Sequence, residues 1–299
     1  AEIRAARERI GDAVLRTPLV AFDERISLKL ECLQPIGSFK LRGALNAVRA
    51  APPAGRVLTA SAGNLAQGVA WAAREAGVPA TVVAPETAPR TKLAAVERLG
   101  GDVILVPHET WWQTMLDRAY PGVDALFVHP VEDEPVMAGN GTIGLELCEQ
   151  LDGFDAVVVP FGGGGLTTGV ASAVKGLRPE VRVYTAEPET AAPFAASLAA
   201  GAPTEIAYRP SWVDGAGGRA LLPGMWERVR PLVDGAFALP LGDVAAAVRL
   251  LAERARIVAE GAGALGVAAA LGGRAGSGRV VCVVSGGNID GATLAGLLN

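Results

Sequence analysis

The sequence predicts an α/β protein built on a mostly parallel, doubly wound sheet and divided into two lobes or domains. Short β-rich apolar runs alternate with helical patterns along almost the whole chain, as strand–crossover–strand units require. At 299 residues the chain is long enough to bury a large core. Glycine-rich segments follow several of the strands, and right-handed crossovers gather such loops at one sheet edge, where ligands bind.

In chain order, Ala1–Gly11 is a charged helical pattern. Ser27–Glu31 is a strand, and a Gly-Ser turn leads into a helix over Phe39–Arg49. The strand Val57–Ala60 precedes the helix Ala66–Ala76, and the strand Thr81–Ala84 precedes the helix Arg90–Leu99. Val103–Val106 and Leu126–Val128 are strands with a helix, Thr110–Ala119, between them. Ile143–Gln150 is helical, Ala156–Pro160 a buried strand and Leu166–Lys175 a helix. Then come the strand Val181–Ala186, helical residues Ala191–Ala200, an irregular stretch over Pro210–Pro223, the helix Val244–Ala259 and a last buried strand, Val280–Val284.

Composition excludes several function classes. Hydrophobic residues make up 50% and charged residues 19%, a globular balance. A formal net charge of −4 leaves no electrostatic footprint for nucleic acid or an anionic membrane. No apolar stretch approaches a membrane span without an interrupting glycine or charge. Cys32, Cys148 and Cys282 lie far apart in apolar runs without CxxC spacing, so buried free thiols in a reducing cytoplasm are expected. The first residues lack the apolar core of a secretion signal, which makes Asn140-Gly141-Thr142 a chance match to a glycosylation sequon.

Lysine is scarce: Lys29, Lys40, Lys92 and Lys175 are the only four. Lys29 lies in a strand, Lys92 on an amphipathic helix, and Lys175 near a helix C-terminus, where the dipole suits a cation. Lys40 opens a helix behind Ser38, the expected N-cap, and beside the aromatic face of Phe39. A partly desolvated helix start lowers an amine's pKa and favours the neutral form that attacks a carbonyl. Taken alone, that position favours a structural lysine over a nucleophile.

Phe161-Gly162-Gly163-Gly164-Gly165-Leu166 follows one strand and opens a helix. Successive glycines there let backbone N–H groups converge on an anion at the positive end of a helix dipole, which favours a phosphate site over a bare turn. The run is neither a dinucleotide fingerprint nor a P-loop. The formal G-x-G-x-x-G at Gly261–Gly266 follows the helical segment Leu250–Glu260, not a strand, and reads as a helix-to-helix packing turn. Ser61-Ala62-Gly63-Asn64 and Ser285-Gly286-Gly287-Asn288 also follow strands. The first precedes a helix, where backbone donors hold carboxylates, although each loop alone is ordinary turn composition. His108 and His129 have no cysteine or carboxylate at metal-ligand spacing, and the motifs of serine hydrolases, zinc peptidases and dithiol redox proteins are absent. Trp111-Trp112 reads as a packed helix start and Glu132-Asp133-Glu134 as a solvated loop.

Taken together, Lys29–Asn46 (KLECLQPIGSFKLRGALN), Ser61–Val69 (SAGNLAQGV), Ala138–Glu146 (AGNGTIGLE), Phe161–Thr167 (FGGGGLT) and Ser285–Asp290 (SGGNID) resemble the motif set of the fold-type-II pyridoxal 5'-phosphate (PLP) enzymes. The branch they resemble is that of the threonine and serine dehydratases and serine racemases. The resemblance implies an α/β fold similar to the tryptophan synthase β subunit, with two open, twisted, mostly parallel sheets and flanking helices. It implies a large PLP-binding domain of residues 1–51 and 133–299, a small mobile domain of residues 52–132 that closes over it, and PLP between the two.

The same resemblance assigns roles. Lys40 would hold PLP as a Schiff base and move protons at the substrate. Phe39 would pack near the cofactor ring and Asn64 would bond its phenolic oxygen. Gly162, Gly163, Gly164, Gly165 and Leu166 would cradle the phosphate. Ser285 would face the pyridine nitrogen and leave it largely neutral, which suits β-elimination. Ser61, Ala62, Gly63, Asn64 and Leu65 would receive the substrate. The implied activity is α,β-elimination of water from a small amino-acid substrate of the L-threonine or L-serine type, giving a 2-oxo acid and ammonia. The expected setting is a cytoplasmic homodimer with no nucleic-acid or membrane partner. A β-replacement synthase of the same fold is the alternative chemistry, against which the GSFKLRGA and SAGN forms speak.

Several positions depart from the branch. Ala62 stands where racemases place a proton-moving serine, so racemisation is expected to be minor. Glu187 matches one divalent-cation ligand of the relatives, but Pro193 replaces the downstream aspartate, so no metal is expected. Leu65, Val131 and Gly218 replace polar groups and shift the expected pocket toward a bulkier substrate such as phenylserine. The chain ends nine residues after Asp290, short of the regulatory domain of biosynthetic relatives, so insensitivity to isoleucine is expected.

Overall fold

The computed structural model describes residues 1–51 and 55–299. In chain order it opens with α1 (Glu2–Ile10), β1 (Leu19–Ala21), β2 (Ile26–Lys29), α2 (Lys40–Ala50), β3 (Val57–Ala60) and α3 (Asn64–Glu75). Next come β4 (Ala80–Pro85), α4 (Arg90–Arg98), β5 (Gly101–Val106), α5 (His108–Asp117), β6 (Leu126–Phe127) and α6 (Glu134–Gln150). Then follow β7 (Ala156–Pro160), α7 (Gly165–Leu177), β8 (Arg182–Pro188), α8 (Pro193–Ala200), α9 (Met225–Val229), β9 (Gly235–Leu239), α10 (Leu241–Leu250), α11 (Gly261–Leu271), β10 (Val280–Val283) and α12 (Gly291–Leu298).

The chain forms two compact units. The first comprises Ala1–Leu15 and Gln34–Thr142, the second Arg16–Leu33 and Ile143–Asn299. The first unit holds an all-parallel sheet in the order β5-β4-β3-β6. β3 is buried along its whole length, as a parallel strand covered on both faces must be. One face packs Leu41, Leu45, Val69, Val82 and Val96 together, and the other packs Leu58, Val83, Met115 and Phe127.

The second unit holds a sheet in the order β1-β2-β10-β7-β8-β9, in which β1 alone runs antiparallel. Its core gathers Leu28, Val158, Ala186, Val248, Leu265 and Cys282. Burial pushes the Cys32 thiol up to about 12, and Cys32 and Cys282 are both buried free thiols. These two open, mostly parallel sheets with flanking helices are the expected fold. The strands of the first sheet all fall within the segment expected as a small domain, residues 52–132, of which 52–54 lie outside the described residues.

The structure departs from the sequence reading at definite places. Ser38 does not cap α2: the cap position is Phe39, in helical backbone, and Ser38 Oγ is buried with no hydrogen-bond partner among the described residues. The helix expected over Val244–Ala259 ends early. A π-turn over Leu251–Ala255 closes on Arg256 at φ 61°, after which Glu260 N donates to Gly286 O. Gly261–Gly266 is not a packing turn but the first half of α11, buried throughout. Asp133 is not merely solvated, because its carboxylate accepts from His129 N at 2.7 Å and pairs with Arg118. Of the tryptophan pair, Trp111 packs against the α5-side core while Trp112 is exposed.

Candidate active site

In the first unit the site grows from the crossing of α2 and α3. Gly68 sits one turn into α3, and a Cβ there would lie 3.1 Å from Lys40 O and 3.1 Å from Ala44 Cβ. Glycine therefore lets the start of α3, with the Ser61–Asn64 loop before it, lie against the start of α2. Lys40, the first residue of α2, is half-buried, and its Nζ donates to Pro130 O at 2.9 Å and lies 5.2 Å from the Phe39 ring centroid. Ser61, Ala62, Gly63 and Asn64 are half-exposed at the α3 N-terminus, with Ser61 Oγ accepting from Gly63 N at 3.4 Å. Leu65 is different. At 2% exposure it belongs to the packed core of this unit, so the structure makes it a packing residue and takes away one leg of the bulky-substrate expectation.

α2 is itself fixed from below. Arg42, fully buried, donates through Nη1 to Thr142 Oγ1 and through Nη2 to Leu15 O, both at 3.0 Å. Asn46 Nδ2 donates to Pro135 O at 2.6 Å. The LRGALN and AGNGT segments thus meet as a helix crossing that holds Lys40, with Arg42, Asn46 and Thr142 bonded within it.

The turn after β6 supplies the Lys40 acceptor. His129, at 2% exposure, accepts at Nδ1 from Val131 N (3.2 Å) and Glu132 N (2.9 Å). Burial pushes its imidazole down to about 4, with Arg118 and Lys40 adding to the shift and Asp133 opposing it. Sequence reasoning misses this role because it weighs His129 only as a metal ligand.

Two of the remaining lysines are committed elsewhere. Lys29 is fully buried in the second unit, where it pairs with Glu146 and donates to Thr17 O (2.8 Å) and Gln150 Oε1 (2.9 Å). Lys175 pairs with Asp234 at 2.8 Å. A lysine neutralised by a buried carboxylate, as Lys29 is, is a poor nucleophile, and the Lys175 pair lies nearer the surface.

In the second unit β7 and β10 are parallel neighbours, so the loops that follow them leave the sheet at the same edge. After β7 come Gly162, Gly163, Gly164 and the start of α7 at Gly165, with Leu166 and Thr167 in its first turn. Gly164 has φ 98°, and a Cβ there would meet Met225, Val229 and Phe161 at 3.0–3.2 Å, so conformation and packing both require glycine. The first-turn amides have no acceptor within the helix. After β10 comes Ser285, buried.

The structure adds two neighbours that the sequence did not flag. Gly217 N donates to Phe161 O at 2.7 Å, placing the Gly215–Gly217 segment beside the glycine loop. Glu260 is buried next to it, its Oε1 3.4 Å from where a Gly215 Cβ would stand. The only signal for the first was its glycine density, and for Glu260 there was none. Glu187, the one position offered toward a metal, accepts instead from Phe194 N (3.1 Å) and Ala195 N (2.8 Å) at the start of α8. Burial pushes its carboxyl up to about 8. Among the described residues no group of three or more His, Cys, Asp or Glu is placed to hold a metal.

PLP joins an anionic phosphate to an aromatic ring bearing a carbonyl, and the residues fit each part. Thr167 Oγ1 in the first turn of α7, in the second unit, and Ser38 Oγ beside Phe39 and Lys40, in the first, are each buried polar atoms with no hydrogen-bond partner among the described residues. Residues 10–286 match the family model described as pyridoxal-phosphate dependent enzyme. The chain belongs to that family. It is 41% identical to the L-threonine ammonia-lyase of Thermotoga maritima, over 97% of this chain and 75% of that protein. It is 34% identical to the serine racemase of Homo sapiens, over 97% of this chain and 91% of that one. Maize serine racemase superposes with a TM-score of 0.90 at 34% identity, covering 99% of this chain and 95% of the maize chain. The T.th. threonine deaminase superposes at 0.85 with 37% identity, covering 97% of this chain and 98% of that one. PLP is accordingly the cofactor of this enzyme. No helix among the described residues is long and apolar enough to cross a membrane.

Proposed function

We propose that this enzyme is a PLP-dependent ammonia-lyase that eliminates water from a small β-hydroxy amino acid of the L-threonine or L-serine type, releasing a 2-oxo acid and ammonia. The observation that carries the reading is the placement of Lys40, at a helix start with its amine on the Pro130 carbonyl, while Lys29 and Lys175 are bound to carboxylates. Its likeness to threonine ammonia-lyase and threonine deaminase supports the reaction class.

When bound, PLP supplies the electron sink that makes the substrate Cα–H acidic. The chain's own residues do the rest. Lys40 anchors the cofactor and takes the proton from the substrate Cα. The backbone N–H groups of the Ser61-Ala62-Gly63 turn, at the positive end of α3, receive the substrate carboxylate. Asn64 would hydrogen-bond the cofactor's phenolic oxygen and Phe39 would pack beside its ring. The amides of Gly162 to Leu166 would hold the phosphate, with the α7 dipole behind them. Ser285 would face the ring nitrogen as a neutral partner. Ala62 carries no group that moves a proton, which supports elimination over racemisation.

Residues 52–132 are proposed to move as a small domain, and a homodimer in the cytoplasm is the proposed setting. The test is 2-oxo acid and ammonia release from L-serine, L-threonine and L-threo-phenylserine, with D-serine followed in parallel. Equal release of 2-oxo acid and ammonia from serine or threonine supports the proposal. A β-substituted amino acid as the product, or D-serine formed as fast as pyruvate, refutes it.

A further inference from the structure

We propose that His129 is a positioning residue for Lys40, acting through the turn 129–132: its imidazole fixes the backbone that aims the Pro130 carbonyl at the Lys40 amine. The inference rests on Lys40 being the working lysine.

The turn is held by side chains at each amide that it possesses. His129 N donates to Asp133 Oδ2 at 2.7 Å, Val131 N donates to His129 Nδ1 at 3.2 Å, and Glu132 N donates to the same nitrogen at 2.9 Å. Pro130 has no N–H to place, and its carbonyl accepts from Lys40 Nζ at 2.9 Å. Asp133 is steadied in turn by Arg118, which closes α5 in left-handed backbone at φ 56° and lies 5.8 Å from the Phe127 ring centroid. The Lys40 acceptor is therefore the centre of a built turn, not a stray loop carbonyl.

The chemistry fixes the state of the imidazole. A ring nitrogen that accepts two N–H groups carries a lone pair, so the proton of the neutral ring is on Nε2, which faces the Glu132 carboxylate at 3.6 Å. The charged groups around the ring are Glu132, Asp133, Arg118 and Lys40. Burial dominates their balance and keeps the ring neutral at ordinary pH, so it holds the turn and does not shuttle protons. A proton on Nδ1 would point at two amide hydrogens and open the turn.

An acceptor at one place is what the turn requires. Asparagine sets its carbonyl oxygen near the Nδ1 position, whereas glutamine reaches toward Nε2. The full-length protein is mixed with PLP, and covalent capture at Lys40 is trapped with borohydride at timed intervals and read by peptide mapping. Capture by His129→Gln should slow about fivefold, the worth of one net hydrogen bond, and His129→Asn should stay within about twofold of the unsubstituted protein. Nitrogen-15 NMR of the unsubstituted holoenzyme should show a bare Nδ1 and a protonated Nε2 at neutral pH, a measurement that stands even if the glutamine variant does not fold. Unchanged capture by His129→Gln, an asparagine variant as slow as the glutamine one, or a proton on Nδ1 overturns the inference. A pyridoxyl group found on another lysine defeats the Lys40 assignment itself, whichever tautomer His129 shows.

Discussion

Replacing Gly139 with alanine probes how the helix that carries Lys40 is held. A Cβ at Gly139 would stand 2.4 Å from Arg42 O, 2.8 Å from Arg42 C and 2.9 Å from Gly43 Cα, all backbone atoms that cannot rotate away. Ordinary contact begins at 3.4 Å, so α6 and α2 must part there by about 1 Å. Overpacking of this kind costs about 1–3 kcal/mol, and a clash with backbone belongs at the upper end. Removing a glycine from a helix returns about 1 kcal/mol. The net expectation is about 2 kcal/mol of destabilisation, or a melting temperature about 4–8 °C lower for a unit of this size. A 1 Å displacement of the helix bearing Lys40 should also lower kcat about 100-fold. The control is Gly176→Ala in α7, where nothing lies within 4 Å of the added Cβ and stability should hold or rise. Calorimetric melts of the two variants beside the parent protein make the comparison. If Gly139→Ala melts with the parent, the helix crossing does not constrain α2 and the positioning argument fails.

Three further outcomes follow from the same geometry. Lys29→Ala leaves Glu146 buried without its partner and should cost about 3–5 kcal/mol in urea unfolding, most of it recovered when Glu146 is also replaced by leucine. An equal loss in the double variant would show that the pair itself stabilises. Leu65→Ala should cost about 2–5 kcal/mol as a core truncation while the ratio of kcat/KM for serine and threonine stays put; a changed ratio would return Leu65 to the substrate pocket. Finally, His129 is held at about 4 in the fold against an ordinary 6.5, so the unfolded chain takes up its proton first. This group's contribution to stability is present above about pH 6.5 and is lost as the pH falls toward 4. In His129→Asn that part of the acid slope should vanish, and an unchanged slope would contradict the burial argument.

Much of this was legible because strands and glycine loops leave strong local traces. The tetraglycine run could be placed at a helix N-terminus because Ala156–Pro160 is a plain β-branched run before it, and the structure puts it there. β9, by contrast, reads GAFAL, with little β propensity, and takes its strand conformation from pairing with β8. α11 is apolar on every side, so it shows no amphipathic period, and its GAGALG start reads as a turn until its burial is known. The fate of Leu65 could not be read because a residue just after a loop asparagine can face the ligand or the core, and only the packing of α3 on the sheet decides. The same holds for His129, whose acceptor role exists only once the chain has turned at Pro130.

The central claim, that Lys40 is the lysine through which this enzyme holds PLP and moves the substrate proton, is met most directly by reducing the holoenzyme with borohydride and mapping the modified peptide. The account predicts one pyridoxyl group on Lys40, and for Lys40→Ala a protein that still folds but neither retains the cofactor covalently nor releases 2-oxo acid. A pyridoxyl group on Lys29, Lys92 or Lys175, or turnover that survives in Lys40→Ala, would contradict it.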